Sequence, residues 1–216
     1  MKKYEFRDEV RNRIDDPQGV LVTDNELDLW LKLGVQRLWR AWNWPFKRAQ
    51  TTVVSVANTA TIDMPADLQR IKKVVSTTND TVLVPTFEGR FHAAYPDSPT
   101  GQPLWYAEGG LSQVVDTSPP VRLLKLLPTP DAVYSYTVVY SKLLPAWDGD
   151  DAYPNVPEDF DEAIIQWALV RFYQKLDDNQ NRVACQDAYE DEVRFLTEEY
   201  SAGESFHRVP YTLLPE

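Results

Sequence analysis

The sequence predicts an α+β protein in which N-terminal and C-terminal helices form a helical bundle, with an antiparallel β domain inserted between them. Two observations predict this class. Apolar residues recur at steps of three and four near both ends of the chain, whereas β-branched residues in short runs dominate the middle. The predicted boundaries are 1–48 and 150–203 for the helical bundle, 49–149 for the β domain and 204–216 for a C-terminal extension.

The composition of the 216 residues is that of a folded chain. Hydrophobic residues make up 43% and charged residues 25%, values that argue against a disordered, collagen-like or coiled-coil chain. The single Cys185 allows no internal disulfide, which indicates assembly in a reducing compartment. We expect no signal peptide, because charges are spread through residues 1–8, and no membrane span, because no run of 18 apolar residues occurs.

The net charge of −11 is concentrated in one segment. Residues 150–204 carry 15 acidic and 4 basic side chains, whereas residues 1–50 carry 8 acidic and 10 basic ones. Since the sequence has no basic stripe that would bind phosphates, we do not expect specific nucleic-acid binding by the isolated chain.

Two helices are predicted before the β domain. A weak apolar stripe predicts the first from Lys3 to about Ile14. The second begins after the capping-box spacing of Thr23 and Glu26 and ends before Pro45. Its apolar stripe consists of Leu27, Leu31, Val35, Leu38 and Trp42.

Four tryptophans in and after the second helix carry more apolar surface than one helix can hide. They are Trp30, Trp39, Trp42 and Trp44. We expect them to contact either partner helices in the bundle or neighbouring subunits. Tryptophans beside basic residues such as Arg40, Lys47 and Arg48 also suit stacking on nucleic-acid bases. Tryptophan at helical spacing nevertheless favours packing in the core.

The middle of the chain predicts three strand pairs. The pairs are 51–56 with 61–64, 71–76 with 81–84, and 121–127 with 134–140. Turn-forming residues lie within each pair, such as Asn58 in the first and Asp80 in the second. Between the second and third pairs we expect a short helix near Glu88–Ala94, followed by a strand at Leu104–Ala107.

Two further helices are predicted after Pro157. The first runs from about Glu158 to Leu176, with acidic residues in its first turn, where they face the positive end of the helix dipole. The second runs from about Gln180 to Tyr200 and is expected to end at Ser201-Ala202-Gly203.

The C-terminal extension is apolar, yet Pro210 and Pro215 prevent it from continuing a helix. A segment of this kind either packs on its own domain or orders on a partner. The side chains that we expect to anchor it are Phe206, Tyr211, Leu213 and Leu214.

No residue pattern predicts catalysis, a cofactor or a metal. Asp148-Gly149-Asp150-Asp151 resembles part of a calcium loop but lacks the alternating ligands and the later Glu, so a solvated turn is favoured. His92 and His207 have no second ligand at zinc spacing. Cys185 stands near Asp187, whose negative charge opposes thiolate formation. Hydrolase, dinucleotide and P-loop motifs do not occur in the sequence.

The order of several short segments resembles a known family. Residues 26–46, ELDLWLKLGVQRLWRAWNWPF, are similar to the N-terminal helix signature of the head-to-tail adaptor proteins of tailed bacteriophages, especially short-tailed ones. Further similar segments follow in the same order and extend the resemblance over about residues 20–200. They are 61–68 with 70–71, 121–123 ahead of 128–131, 136–140, 144–145 and 156–164.

The resemblance implies a structural virion protein of the phage neck, between capsid and tail, assembled in the host cytoplasm. Such a protein would form a homo-oligomeric ring, typically of twelve copies, beneath the portal protein and would join the capsid vertex to nozzle or tube proteins of the tail. The C-terminal segment would reach the portal, and the family offers no catalytic residues to carry over. DNA would only pass through the ring without specific binding, and an acidic helical region would suit such a conduit because it repels phosphate.

Three alternatives remain open from the sequence. An enzyme of a type that no motif reveals is one of them, although the sequence offers few metal ligands and nucleophiles. A tail-tube or tail-completion protein would also form rings but would contact other partners. A carbohydrate-binding module is an alternative of a different class, because Trp105, Tyr106 and Trp147 lie in or near β-region loops and aromatic faces stack on sugars.

Overall fold

The computed structural model describes residues 1–95, 99–111 and 121–205, with side chains up to Ser201. The fold is α+β and divides into two compact units. A helical unit comprises Met1–Phe46 and the chain from Leu144 onward, and a β unit comprises Lys47–Leu143. No helix in the described part of the chain is both long and apolar enough to span a membrane.

Five α-helices are present in the described ranges, four of them in the helical unit. They are α1 Lys3–Arg13, α2 Asp24–Ala41, α3 Glu88–Ala94, α4 Asp161–Lys175 and α5 Asn179–Ser205. Short 3-10 turns at Pro45–Lys47 and Glu158–Phe160 follow α2 and precede α4.

The start of α2 confirms the predicted capping box. The Thr23 hydroxyl accepts a hydrogen bond from the Glu26 backbone N–H, and the Glu26 carboxylate accepts one from the Thr23 N–H at 3.0 Å. The apolar stripe of α2 packs into a core shared with α1, α4 and α5. Its fully buried members are Leu27, Leu31, Val35 and Leu38.

The predicted end of the last helix is wrong. Helix α5 continues through Ser201–Gly203 as far as Ser205. A single glycine costs a helix only about 1 kcal/mol relative to alanine, so Gly203 by itself does not stop it.

Seven strands are present in the described residues of the β unit. They are β1 Arg48–Val54, β2 Thr61–Asp63, β3 Leu68–Ser76, β4 Thr81–Pro85, β5 Trp105–Leu111, β6 Arg122–Leu127 and β7 Ser135–Lys142. They form one sheet in the order β1-β7-β3-β4-β5-β6-β2. The short helix α3 packs Phe91 against Ala107 and Leu127 beside this sheet.

The strand positions are close to those predicted, but only one of the three predicted pairs forms. Strands β3 and β4 pair antiparallel, with Val74 opposite Leu83. Strand β1 pairs with β7 and β2 with β6, so the predicted pairing of 51–56 with 61–64 is wrong. The same contacts replace the predicted pairing of 121–127 with 134–140. Alternating hydrophobicity selects the face that a strand buries and leaves its partner undetermined.

The prediction of an antiparallel domain is also corrected, because the sheet is mixed. Strands β4 and β5 run parallel, with Val84 opposite Trp105. Parallel neighbours need a long crossover between them, and the segment that contains α3 connects these two strands. The core of the β unit collects residues from six strands. Its fully buried members include Val74, Leu83, Leu124, Leu126, Tyr136 and Val138.

Candidate interaction surface of the helical unit

Trp44 lies at the centre of an aromatic cluster in the helical unit. Its side chain is 1% exposed, and its indole N–H donates a hydrogen bond of 2.7 Å to the Leu38 carbonyl. The Trp44 ring meets Phe160 edge-on at 4.8 Å between centroids, and Phe46 and Tyr200 lie at 6.1 Å. These are favourable aromatic geometries, so Trp44 packs in the core of its own chain.

The other three tryptophans also pack within the helical unit. Trp39 is buried and its ring lies 5.7 Å from that of Phe46. Trp30 and Trp42 are partly buried against the core of the helical unit. The structure therefore brings all four rings into contact with their own helical unit, and contacts with neighbouring subunits remain a prediction for the parts of Trp30 and Trp42 that are exposed.

The four expected anchors of the C-terminal extension lie outside the described residues. These are Phe206, Tyr211, Leu213 and Leu214. They follow directly on helix α5, whose last residue is Ser205.

The acidic turn at residues 148–151 is bound by basic side chains of the N-terminal region. The Arg7 guanidinium lies 2.8 Å from the Asp150 carboxylate, and Lys2 Nζ lies 3.1 Å from that of Asp151. These ion pairs favour the turn interpretation over a calcium loop. Within the described residues no group of three or more potential metal ligands occurs.

His92 and Cys185 are the candidate metal ligand and the candidate nucleophile among the described residues. His92 stands one helical turn from Glu88, with 3.4 Å between its Nε2 and the carboxylate, and His207 lies outside the described residues. Burial raises the pKa of the Cys185 thiol. The sequence predicted a raised pKa from neighbouring negative charge, and the structure assigns the effect to burial instead.

Two of the three aromatic residues behind the carbohydrate-binding alternative are buried, and the third packs beside a neighbouring ring. Trp147 is 4% exposed and meets Phe6 edge-on at 5.6 Å in the helical core. Tyr106 is buried in the core of the β unit, and Trp105 packs 5.8 Å from Phe91. Stacking on a sugar needs exposed rings, so this arrangement speaks against the alternative.

An open groove on the helical unit was not predicted from the sequence. Its volume is about 580 Å³, and side chains from α2, α4 and α5 line it. We call it the arginine groove. The residues that define it are Arg37 and Arg40 of α2, Trp167 and Arg171 of α4, and Tyr189 and Val193 of α5.

Trp167 lines the arginine groove, and its ring contacts two of the arginine side chains. The Arg37 guanidinium carbon lies 4.2 Å from the Trp167 ring centroid, and that of Arg171 lies 4.9 Å from it. Cation–π contacts of this length are attractive and fix the orientation of the planar guanidinium groups. The side chain of Arg171 also donates a hydrogen bond of 3.0 Å to Gln174.

Hydrogen-bond donors exceed acceptors in the arginine groove. The indole N–H of Trp167 and Nε of Arg171 are buried without a hydrogen-bond partner among the described residues. Burial raises the pKa of Tyr189, while the nearby Arg37 has the opposite effect. Glu190 is the acidic residue of the lining. The groove is therefore suited to a partner that offers carboxylates or carbonyls.

A second surface lies on the outward face of α5, and we call it the acidic stripe. Its members are Asp187, Asp191, Phe195 and Glu198, spaced by four, four and three residues and all exposed. That spacing places them on one helix face. Phe195 is 60% exposed. Tyr189 and Leu196 point to the core.

The chain matches the family model of the SU10 adaptor protein over residues 1–208. The chain belongs to this family. It is a family of head-to-tail adaptor proteins of bacteriophages, as the sequence resemblance predicted. No curated protein matches the chain at a significant level.

Arg37, Arg40 and Arg171 are the residues of this adaptor that sequence reasoning missed as a group. Arg37 and Arg40 lie one turn apart on α2, a spacing that is readable from the sequence. Arg171 belongs to α4, and only the packing of α4 on α2 brings it beside them.

Proposed function

We propose that the chain is a structural adaptor that forms a ring of twelve copies beneath the portal protein and connects the capsid vertex to the tail. The observation that carries this proposal is the family match over residues 1–208, almost the whole chain. In this role the protein works through contact surfaces and carries out no reaction. DNA passes through the ring without sequence-specific contacts. The proposed location is the virion neck of a short-tailed phage.

The arginine groove and the acidic stripe support a function in protein–protein contact. Arginine and aromatic residues are enriched where proteins bind each other. Both occur together in the arginine groove, while the acidic stripe exposes Phe195 among carboxylates. The helical unit thus carries two surfaces of opposite charge.

The C-terminal extension is the proposed attachment to the portal, through Phe206, Tyr211, Leu213 and Leu214. A few apolar side chains commonly dominate an interface, and a ring multiplies a modest affinity per copy through avidity. Because helix α5 ends at Ser205, removal of residues 206–216 deletes no residue of a described element.

The test compares the full chain with a chain that lacks residues 206–216. We expect the truncated chain to keep its thermal midpoint and to lose binding to the purified portal of the same phage, measured by native mass spectrometry. A control with the four anchors replaced by serine in the full-length chain separates the anchors from the length of the tail. Undiminished portal binding by both variants would contradict the attachment.

A reconstruction of the virion tests the location. We expect density for this chain in a ring between the portal and the tail. Density along the tail tube would instead support the tail-completion alternative, and a neck without this chain would overturn the adaptor proposal.

A further inference from the structure

We propose that the arginine groove of one copy binds the acidic stripe of a second copy, and that this contact joins neighbouring subunits. The inference rests on the proposed ring and names the surfaces that form it. A closed ring is built from a head-to-tail contact, which needs two different and complementary patches on each chain. The arginine groove and the acidic stripe are two such patches.

The arginines of the groove differ from those of α1 in the same unit. Each arginine of α1 lies within 2.6–2.8 Å of a carboxylate: Arg7 pairs with Asp150, Arg11 with Asp24 and Arg13 with Glu162. No ion pair involves Arg37, Arg40 or Arg171 among the described residues. Positive charge in the arginine groove is therefore available to a carboxylate from another chain.

The groove is also organised for such a contact. Arg37 and Arg171 are stacked on Trp167, so their guanidinium groups are already oriented before a partner arrives. Side chains that are held in place lose less entropy on binding than free ones. The lining contributes three positive charges against the single negative charge of Glu190.

The acidic stripe has the matching properties. Asp187 and Glu198 form no ion pair within the described part of the chain, and Asp191 pairs only with the exposed Arg194 at 2.8 Å. From Asp187 to Glu198 the stripe extends about 16 Å along α5. Phe195 adds an exposed ring between the carboxylates, and Leu33 and Val193 offer apolar surface in the groove.

The arginine groove and the acidic stripe form no ion pairs with each other within the described part of one chain. No ion pair in the described ranges connects Arg37, Arg40 or Arg171 with the acidic stripe. Tyr189 and Val193 lie on the groove side of α5, whereas Asp187, Asp191 and Glu198 lie on its outward face. A second copy can therefore supply the missing charge. This contact places the acidic stripe between subunits and not on the wall of the DNA channel.

Charge reversal tests the contact. The groove variant is R37E/R40E and the stripe variant is D187R/E198R. The matched controls are K32E, on an exposed position of α2 outside the groove lining, and D8R, on an exposed position of α1. A single-substitution variant, R40E, covers the case in which loss of the Arg37–Trp167 contact impairs folding, and circular dichroism melting checks each variant.

Self-association is measured by sedimentation of the purified chain at increasing concentration, and the number of copies on the purified portal by native mass spectrometry. We expect at least about tenfold weaker association for each reversed variant, unchanged association for the controls, and weaker wild-type association at high salt. A mixture of the two reversed variants should recover association. When the two variants alternate in a ring, the acidic groove of the R37E/R40E chain meets the basic stripe of the D187R/E198R chain. At the next contact, an unchanged groove meets an unchanged stripe.

The outcomes separate this inference from the proposed function. If copies contact each other on the portal and charge reversal changes nothing, the inference is wrong and the adaptor proposal stands. If the chain associates through these surfaces but does not bind the portal, the inference stands and the portal contact is wrong. If wild-type copies contact each other neither in solution nor on the portal, both the inference and the proposed ring are overturned.

Discussion

The helical unit and the β unit differ in how their elements find their partners. In the helical unit, residues spaced along one helix form the buried face, as with Leu27, Leu31 and Leu38 of α2. In the β unit, β1 pairs with β7 and β2 with β6, strands far apart in the sequence. A helix and its buried face can therefore be inferred from local spacing, whereas a sheet depends on contacts between distant segments.

The largest effects are expected from core substitutions, which test whether the two units unfold independently. Trp44→Ala should lower the free energy of unfolding of the helical unit by about 3–5 kcal/mol, because it empties the centre of the aromatic cluster. Leu124→Ala should lower that of the β unit by about 2–5 kcal/mol. Hydrogen exchange with mass spectrometry locates each effect. Equal loss of protection in both units from Trp44→Ala would show that they unfold together.

The capping box of α2 should contribute less to the free energy of unfolding than the core residues Trp44 and Leu124. Thr23→Ala removes the hydroxyl that accepts from the Glu26 backbone N–H and should cost about 1 kcal/mol. Thr23→Ser keeps the hydroxyl and serves as the control. Urea unfolding followed at 222 nm measures the difference, and equal stability of the two variants would contradict a role for this cap.

Two helical glycines, one in each unit, test how tightly the units are packed. Nothing lies within 4 Å of a Cβ built on Gly89 in α3, so Gly89→Ala should stabilise the protein by about 0.5–1 kcal/mol through helix propensity. A Cβ on Gly34 would lie 3.1 Å from Trp167 Cδ1 and 3.4 Å from the Ile164 carbonyl oxygen. Gly34→Ala should therefore bring no gain. An equal rise in thermal midpoint for both variants would disprove this packing difference.

The smallest expected effect depends on pH. The Lys175 ammonium, 2.8 Å away, and the hydrogen bond from Thr23 lower the pKa of Glu26 from 4.5 to about 2. Since the folded-state pKa is lowered, the stabilisation is present above the unfolded pKa and is lost as the pH falls from about 4.5 towards 2.

The matching variant is Glu26→Gln, with Asp8→Asn as a control at an exposed carboxylate. The difference in thermal midpoint between wild type and Glu26→Gln should be largest near neutral pH and should shrink on acidification. A difference that stays constant down to pH 2 would argue against ionisation of Glu26 as its cause. The Glu26–Lys175 pair connects α2 with α4, so the result also reports on helix contacts in this unit.

Much of the fold was predictable because its signals are local. The α+β class, the start of α2 at Thr23, the short helix at Glu88–Ala94 and the strand positions follow from spacing, caps and turn residues. The continuation of α5 past Gly203 was not predicted, because the weak preference of one glycine does not by itself end a helix. The parallel contact of β4 with β5 also lacks a local signal.

One of the two proposed interaction surfaces has a local signal in the sequence, and the other does not. The acidic stripe can be read from the sequence, since Asp187, Asp191, Phe195 and Glu198 repeat at helical spacing. The arginine groove cannot, because Arg171 and Trp167 come from α4 and Arg37 and Arg40 from α2. Their common surface exists only after these helices pack.

The family, the class of fold and the buried face of α2 follow from the sequence alone, because these depend on the order of short segments and on periodicity within them. The partners of the strands and the position of Arg37, Arg40 and Arg171 near Trp167 become visible only in the folded chain. The physical reason is that alternation and helical spacing specify which side of an element is buried. They contain no information about which distant element covers it.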